Sequence, residues 1–145
     1  MLSIIIPTRN ETDNLQDILD NISSKLKELD FEVLIINDYS DDDTLAKSEK
    51  LFAPHKQFRV LDNKKKGLGG AINLGIDKAK GAKIVVMMAD MSDDLNDLIK
   101  YNELMDKENL DAVLGSRFIH GSKVRDYPFQ KLILNRIFNF FVSII

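Results

Sequence analysis

Short unbroken apolar runs alternate along this chain with segments whose apolar residues recur at helical spacing. Leu2–Pro7, Phe31–Asn37, Arg59–Asp62, Lys83–Met88 and Asp111–Gly115 read as strands. The run Lys83–Met88 is apolar after its first residue and β-branched at its start, the pattern of a buried parallel strand. Between the strands, Leu15, Ile18, Leu19, Ile22, Leu26 and Leu29 share one helical face, with Thr12 or Asp13 as a cap. Asp41 to Phe52 reads as a short helix opened by acids. Leu68, Ile72, Gly75, Ile76 and Ala79 mark a third helix, ended by Gly81. Leu95, Leu98, Ile99 and Met105 mark a fourth. A strand that must run parallel to the previous one needs a crossover, and a helix supplies it. The alternation therefore predicts an α/β domain with a mostly parallel sheet and helices on both faces.

Composition narrows the chemistry. A length of 145 residues, 44% of them hydrophobic, suits one domain with a real core, spanning residues 1–145. A net charge of -3 gives no reason to expect nucleic-acid binding. The absence of cysteine excludes disulfides and thiolate metal sites, and His55 and His120 stand far apart. A hard cation on oxygen ligands is the metal chemistry that remains. The N-terminus opens directly into a strand-like run without the features of a signal peptide, so a cytoplasmic location is expected. No segment reaches the ~20 apolar residues that span a bilayer. The tail from Val124 to Ile145 mixes cations with a Phe-rich stretch. It reads equally as an interfacial helix in peripheral contact with a membrane or as a core helix over the sheet.

Polar residues gather where the strands end. Pro7-Thr8-Arg9-Asn10-Glu11 follows the first strand, and Asn37-Asp38-Tyr39-Ser40 leads into acids after the second. Asn63-Lys64-Lys65-Lys66-Gly67-Leu68-Gly69-Gly70 follows the third, and Ala89-Asp90-Met91-Ser92-Asp93-Asp94 the fourth. In a parallel sheet these loops share the edge where ligands bind. Each has a plain reading and a functional one. Glu11 suits the first turn of a helix, and Asp38 suits a turn or the imide of a base. The lysine run is a solvated loop, or it meets phosphate beside glycine N–H groups at a helix N-terminus. Asp93 and Asp94 suit helix capping, while Asp90 suits a divalent cation.

Taken in order, Pro-Thr-Arg-Asn-Glu, Asn-Asp-Tyr-Ser, Lys-Gly-Leu-Gly-Gly-Ala, Ala-Asp-Met-Ser and Gly-Ser-Arg-Phe resemble the motifs of the inverting family 2 glycosyltransferases. The subgroup they look most like is the dolichol- or polyprenyl-phosphate sugar transferases. The resemblance implies a GT-A, Rossmann-like fold and transfer of a sugar from a nucleoside diphosphate donor to a polyprenyl phosphate with inversion. It implies Mg2+ or Mn2+ on Asp90 and donor contacts from Pro7, Thr8, Arg9, Glu11, Asp38, Lys66, Gly67 and Gly69. Arg117 would meet the acceptor phosphate and Lys131 would add a second cation, with Asp93 as the base if one is needed. Two positions depart from the pattern. Arg9 replaces a tyrosine, and Met88 stands where the metal motif has its first aspartate. The family's catalytic domains also run further, so this chain is expected to be short or truncated at its C-terminal end. The rival readings are transfer to a glycan hydroxyl and a remnant that binds a nucleotide sugar without catalysis.

Overall fold

The computed structural model describes residues 1–115 and 129–142. Four strands, β1 (Leu2–Thr8), β2 (Phe31–Asn37), β3 (Phe58–Asp62) and β4 (Lys83–Val86), form one parallel sheet in the order β3-β2-β1-β4. The crossovers carry α1 (Leu15–Lys25), α2 (Thr44–Phe52) and α3 (Leu68–Lys78). Helices α4 (Leu95–Glu108) and α5 (Phe129–Val142) follow. The chain divides into two compact units, Met1–Leu110 and Asp111–Ile145.

Handedness distributes the helices. The first two connections step outward from β1 to β3, and the third steps back across the sheet to β4. Right-handed crossovers then place α1 and α2 on one face and α3 on the other. Period-two alternation in the strands matches this. Ile4, Ile6, Val33 and Ile35 pack with Ile18, Ile22, Phe52 and the α4 residues Leu95 and Leu98. Ile5, Leu34 and Ile36 pack with Ala71 of α3. Strands β1 and β2 are buried along their whole length, as continuous apolar runs require in a sheet covered on both faces.

Several sequence expectations shift. Residues 111–115 form no strand, because a strand exists only through a partner ladder and no described strand pairs with them. Strand β4 is shorter than the apolar run and is not buried throughout. Ile84 and Val86 are exposed at this edge of the described sheet, because α3 packs over β1 and β2 instead. Met87 extends the ladder by one bond, its N–H donating to Ile5 O at 3.0 Å. Helix α1 starts after Asn14, not after Thr12 or Asp13, since the Thr12 hydroxyl is engaged by Asp42. Helix α2 starts at Thr44 rather than Asp41. Helix α3 stops at Lys78, before Gly81. Gly81 is needed for close approach instead. A Cβ there would lie 2.7 Å from Met1 O and 2.8 Å from Ser3 N.

Candidate active site at the carboxyl edge of the sheet

The strand order reverses direction between β1 and β4, so the crevice outside their carboxyl ends is a topological switch point. The loops after β1 and β2 meet there and interlock. Asn10 N–H donates to Ser40 Oγ at 3.1 Å, and Asp41 N–H donates to Asn10 Oδ1 at 2.8 Å. Glu11 N–H donates to Thr44 Oγ1 at 2.9 Å, and the Thr12 hydroxyl donates to Asp42. Asp42 also accepts the Thr44 N–H at 3.0 Å. Thr12 and Thr44 hydroxyls together pull the Asp42 carboxyl down to about 2. Pro7 and Thr8 are buried at the end of β1, with Thr8 Oγ1 donating to Ile36 O at 3.2 Å. Arg9 stands exposed above them.

The loop after β3 is bound to the loop after β2. Asp38 is only 5% exposed, and its carboxylate faces inward. Its Oδ1 accepts from Asn63 Nδ2 at 2.9 Å and from Gly67 N–H at 2.8 Å. Tyr39 donates its hydroxyl to Lys64 O at 3.0 Å, and the Lys66 ammonium lies 5.8 Å from the Tyr39 ring centroid. After β4, Asp90 is exposed and accepts the Ser92 N–H at 3.0 Å on Oδ1. Asp93 accepts the Met88 N–H at 3.0 Å. Asp94 caps α4, accepting Asn96 N–H at 2.8 Å, as one of these acids was expected to do.

One backbone feature is shared by all four loops. Asn10, Tyr39, Gly67 and Met91, one per loop, have positive φ of 58°, 56°, 115° and 54°. For residues other than glycine this conformation is uncommon, and it concentrates at functional sites.

Residues 3–143 match the family model described as Glycosyl transferase family 2. The chain belongs to this family. It is 33% identical over 135 residues to the dolichol-phosphate mannosyltransferase of Pyrococcus furiosus, covering 93% of this chain and 38% of that protein. It is 30% identical over 141 residues to the polyprenol monophosphomannose synthase of Mycolicibacterium smegmatis, covering 94% and 52%. The chain thus spans about half, or less, of the curated relatives it matches. Among solved structures it is similar to S. aureus TarS 1-349 in complex with UDP-GlcNAc, with a TM-score of 0.60 at 23% identity over 86% of this chain and 37% of that one. That likeness gives the α/β fold as GT-A.

For a family 2 chain, the expected residues fall into three groups. Arg9, Glu11, Asp38, Lys66, Gly67, Asp90 and Asp93 lie in the four loops of one sheet edge, Pro7 and Thr8 end β1 at that edge, and Gly69 lies in the first turn of α3. Lys131 lies exposed on α5, in the second unit. Arg117 lies outside the described residues, as do Lys123 and Arg125. Glycine roles separate clearly within the third loop. A Cβ on Gly70 would lie 1.9 Å from Lys65 O, whereas one on Gly69 would meet nothing within 4 Å. Packing therefore requires Gly70 but not Gly69. A cleft of about 520 Å³ lies at the opposite, amino edge of the sheet, lined by Phe31, Glu32, His55, Arg59 and Lys80. It is remote from the loops and takes no part in the site. Sequence reasoning missed the residues that tie the loops together: Asn10, Thr12, Ser40, Asn63 and Thr44. Their signal is short polar side chains at strand ends, which bond backbone two residues away or across a turn.

Proposed function

We propose that this chain is the donor-binding part of a glycosyltransferase that moves a sugar from a nucleoside diphosphate sugar to a polyprenyl phosphate, with inversion at the anomeric carbon. The observation that carries the reading is the placement of four polar loops on one sheet edge, three of them cross-linked by hydrogen bonds, beside a lysine and a helix N-terminus. Relatives named for dolichol-phosphate and polyprenol-phosphate mannose transfer support the acceptor class.

In this reading Asp90 would hold Mg2+ or Mn2+. Its Oδ1 accepts the Ser92 N–H, and its side chain is exposed. No group of three His, Cys, Asp or Glu able to hold a metal occurs among the described residues. A single carboxylate such as Asp90 would hold a magnesium-type ion together with substrate phosphates and water. Bound there, the ion stabilises charge on the departing diphosphate. Lys66 supplies further positive charge to the diphosphate, and the first turn of α3 supplies N–H donors. A phosphate monoester has a second pKa of about 6, so the acceptor is anionic near neutral pH. It needs to be positioned by cations, and Arg117 and Lys131 are assigned that role. Asp93 would act as base only for a hydroxyl acceptor.

Peripheral membrane contact is proposed for α5. Ile133, Leu134, Ile137 and Phe138 are exposed on it, with Lys131 and Arg136 beside them. No helix among the described residues is long and apolar enough to cross a membrane. A second reading, a nucleotide-sugar-binding remnant, is favoured by one observation: Met88, a thioether, stands two residues before Asp90.

A panel of radiolabelled UDP- and GDP-sugars with Mg2+ or Mn2+ separates these readings, run with polyprenyl phosphate, with a glycan acceptor and with neither. Labelled lipid formed from one donor is the expected result. Metal-dependent binding without turnover supports the remnant, and product on the glycan alone overturns the acceptor assignment.

A further inference from the structure

The cleft at the amino edge of the sheet is built around one buried carboxylate. Glu32, near the start of β2, is 6% exposed. Ser3 donates its hydroxyl to Glu32 Oε1 at 2.8 Å, and the Lys80 backbone N–H donates to the same oxygen. Arg59 Nη1 donates to Glu32 Oε2 at 3.1 Å and to Lys78 O at 3.0 Å. Neither Arg59 bond engages the Nε–Nη2 edge, an edge with which a guanidinium forks onto an oxyanion. Gly81 N–H donates to Ser3 Oγ at 2.8 Å, which fixes the backbone next to Lys80. One carboxylate thus places two cationic residues, one from β3 and one from the α3–β4 connection. The facing wall is the turn between α2 and β3. His55 N–H donates to Phe52 O at 2.9 Å, Phe58 N–H donates to His55 O at 2.8 Å, and Gln57 O accepts the Val33 N–H at 2.7 Å. The His55 ring meets Phe58 edge-on with centroids 6.0 Å apart, and Phe58 stacks on Phe52 at 5.0 Å. These contacts hold Pro54, His55 and Lys56 at the cleft, where Phe31 adds an apolar lining.

Cations are in surplus there. Glu32 is matched by Arg59, and the α-amino group of Met1 lies 3.4 Å from Asp30. Lys56 and Lys80 also line the cleft, and neither forms an ion pair among the described residues. The whole chain carries a net charge of -3, so this surplus runs against the overall charge. Ser3, Glu32 and Arg59 would suffice to tie the strands together. The two further lysines around a hollow of about 520 Å³ point to an anion. We propose that this cleft is a second binding site, which takes a small organic phosphate. Arg59, Lys56 and Lys80 receive the phosphate, and the body of the ligand lies against Phe31, Pro54 and His55. A guanidinium supplies the fork and the lysines supply point charges, a combination suited to phosphate oxygens. Glu32 is a positioning residue, since it anchors Arg59 and the backbone of Lys80. The site is independent of the donor-site reading, because none of its residues belongs to the loops of the carboxyl edge.

The test titrates the full chain with phenyl phosphate and with phenol, in EDTA so that a metal-dependent site at the other edge stays silent. Backbone amide NMR locates the ligand. Phenyl phosphate is expected to shift the amides of Phe31, His55, Gln57, Arg59 and Lys80 and to leave those of Lys65 to Gly69 in place. Phenol should bind at least about tenfold more weakly, and the phosphate affinity should fall as salt rises. The double variant Lys56→Ala with Lys80→Ala removes two exposed cations and keeps the Lys80 backbone N–H on Glu32. It should weaken phenyl phosphate by about tenfold with an unchanged urea midpoint. Vesicles of phosphatidylcholine with and without phosphatidic acid distinguish the source of the phosphate. Phosphatidic acid binding that the double variant loses assigns the site to a lipid headgroup, and binding of the soluble phosphate alone assigns it to a free compound. Either result supports the site. Full affinity in the double variant, or shifts confined to Lys65 to Gly69, overturns it. So does a chain whose cleft amides respond to neither phenyl phosphate nor phosphatidic acid.

Discussion

Glycine positions show most directly how single residues answer to the fold. In the interior of α3, replacing Gly75 by Ala would gain about 1 kcal/mol of helix propensity. The added Cβ would lie 2.4 Å from Ile5 Cγ2, and Ile5 is fully buried. Overpacking of that kind costs ~1–3 kcal/mol, so the net change is destabilising. Gly81 faces backbone atoms of Met1 and Ser3, which cannot swing aside. We expect Gly81→Ala to cost at least as much as Gly75→Ala in urea unfolding, and Gly69→Ala to stay within about 0.5 kcal/mol of the parent. If Gly69→Ala is stable yet weakens nucleoside diphosphate binding, backbone approach by the ligand is its role. A melt in which Gly69→Ala is the most damaging of the three would refute this ordering. Sequence reasoning saw a glycine-rich turn but not which glycine serves packing. That distinction depends on Lys65 O and Ile5, which reach these sites only through tertiary contacts.

Elements were legible where periodicity was strong. Strands β1 and β2 and the four helices before residue 110 were all readable, because an apolar run or a helical stripe must be buried somewhere. Boundaries were not, because loop side chains decide them. The Thr12 hydroxyl looked like a helix cap and instead joins the β1–α1 loop to the β2–α2 loop through Asp42. That junction has a pH consequence. The Asp42 carboxyl falls from its ordinary 3.8 to about 2 on folding. A lowered folded value means the unfolded chain binds more protons in this window. The contribution is therefore complete above about pH 4 and is lost as pH falls toward 2. Glu32 adds to it. Burial alone would raise its carboxyl, but hydrogen bonds from Lys80 N–H, Ser3 and Arg59 outweigh burial and lower it. Thr12→Val is expected to return the Asp42 titration, followed by carboxyl NMR, toward 3.8. An unmoved titration would show that the Thr12 bond is not the cause. Helix α5 carries its own prediction. Phe138→Asp should reduce binding to anionic vesicles by about tenfold, since burying an aromatic side chain is worth ~1.5–3 kcal/mol. Sedimentation with vesicles that is equal for parent and variant would remove the membrane assignment.

At the scale of the whole molecule, the loops differ in how they are held. Those after β1, β2 and β3 are cross-linked by side-chain hydrogen bonds, whereas the bonds described for Asp90, Asp93 and Asp94 stay within the loop after β4 and the start of α4. Asp90→Asn keeps an acceptor for the Ser92 N–H and removes the charge. It should leave urea stability unchanged and weaken the metal-dependent part of nucleoside diphosphate binding at least about tenfold. Binding that keeps its full metal dependence would move the metal elsewhere. Sequence alone determined the α/β class and the gathering of polar loops on one edge, because buried apolar runs must pair in parallel and their ends must then coincide. It could not determine that Asp38 turns inward, that Thr12 serves Asp42, or that Asn63 shapes the lysine loop. Those outcomes hinge on which short polar side chain reaches which backbone group across two or three ångströms. That distance is set only once the sheet register, Thr8 beside Asn37 and Asn37 beside Asp62, brings the loops together.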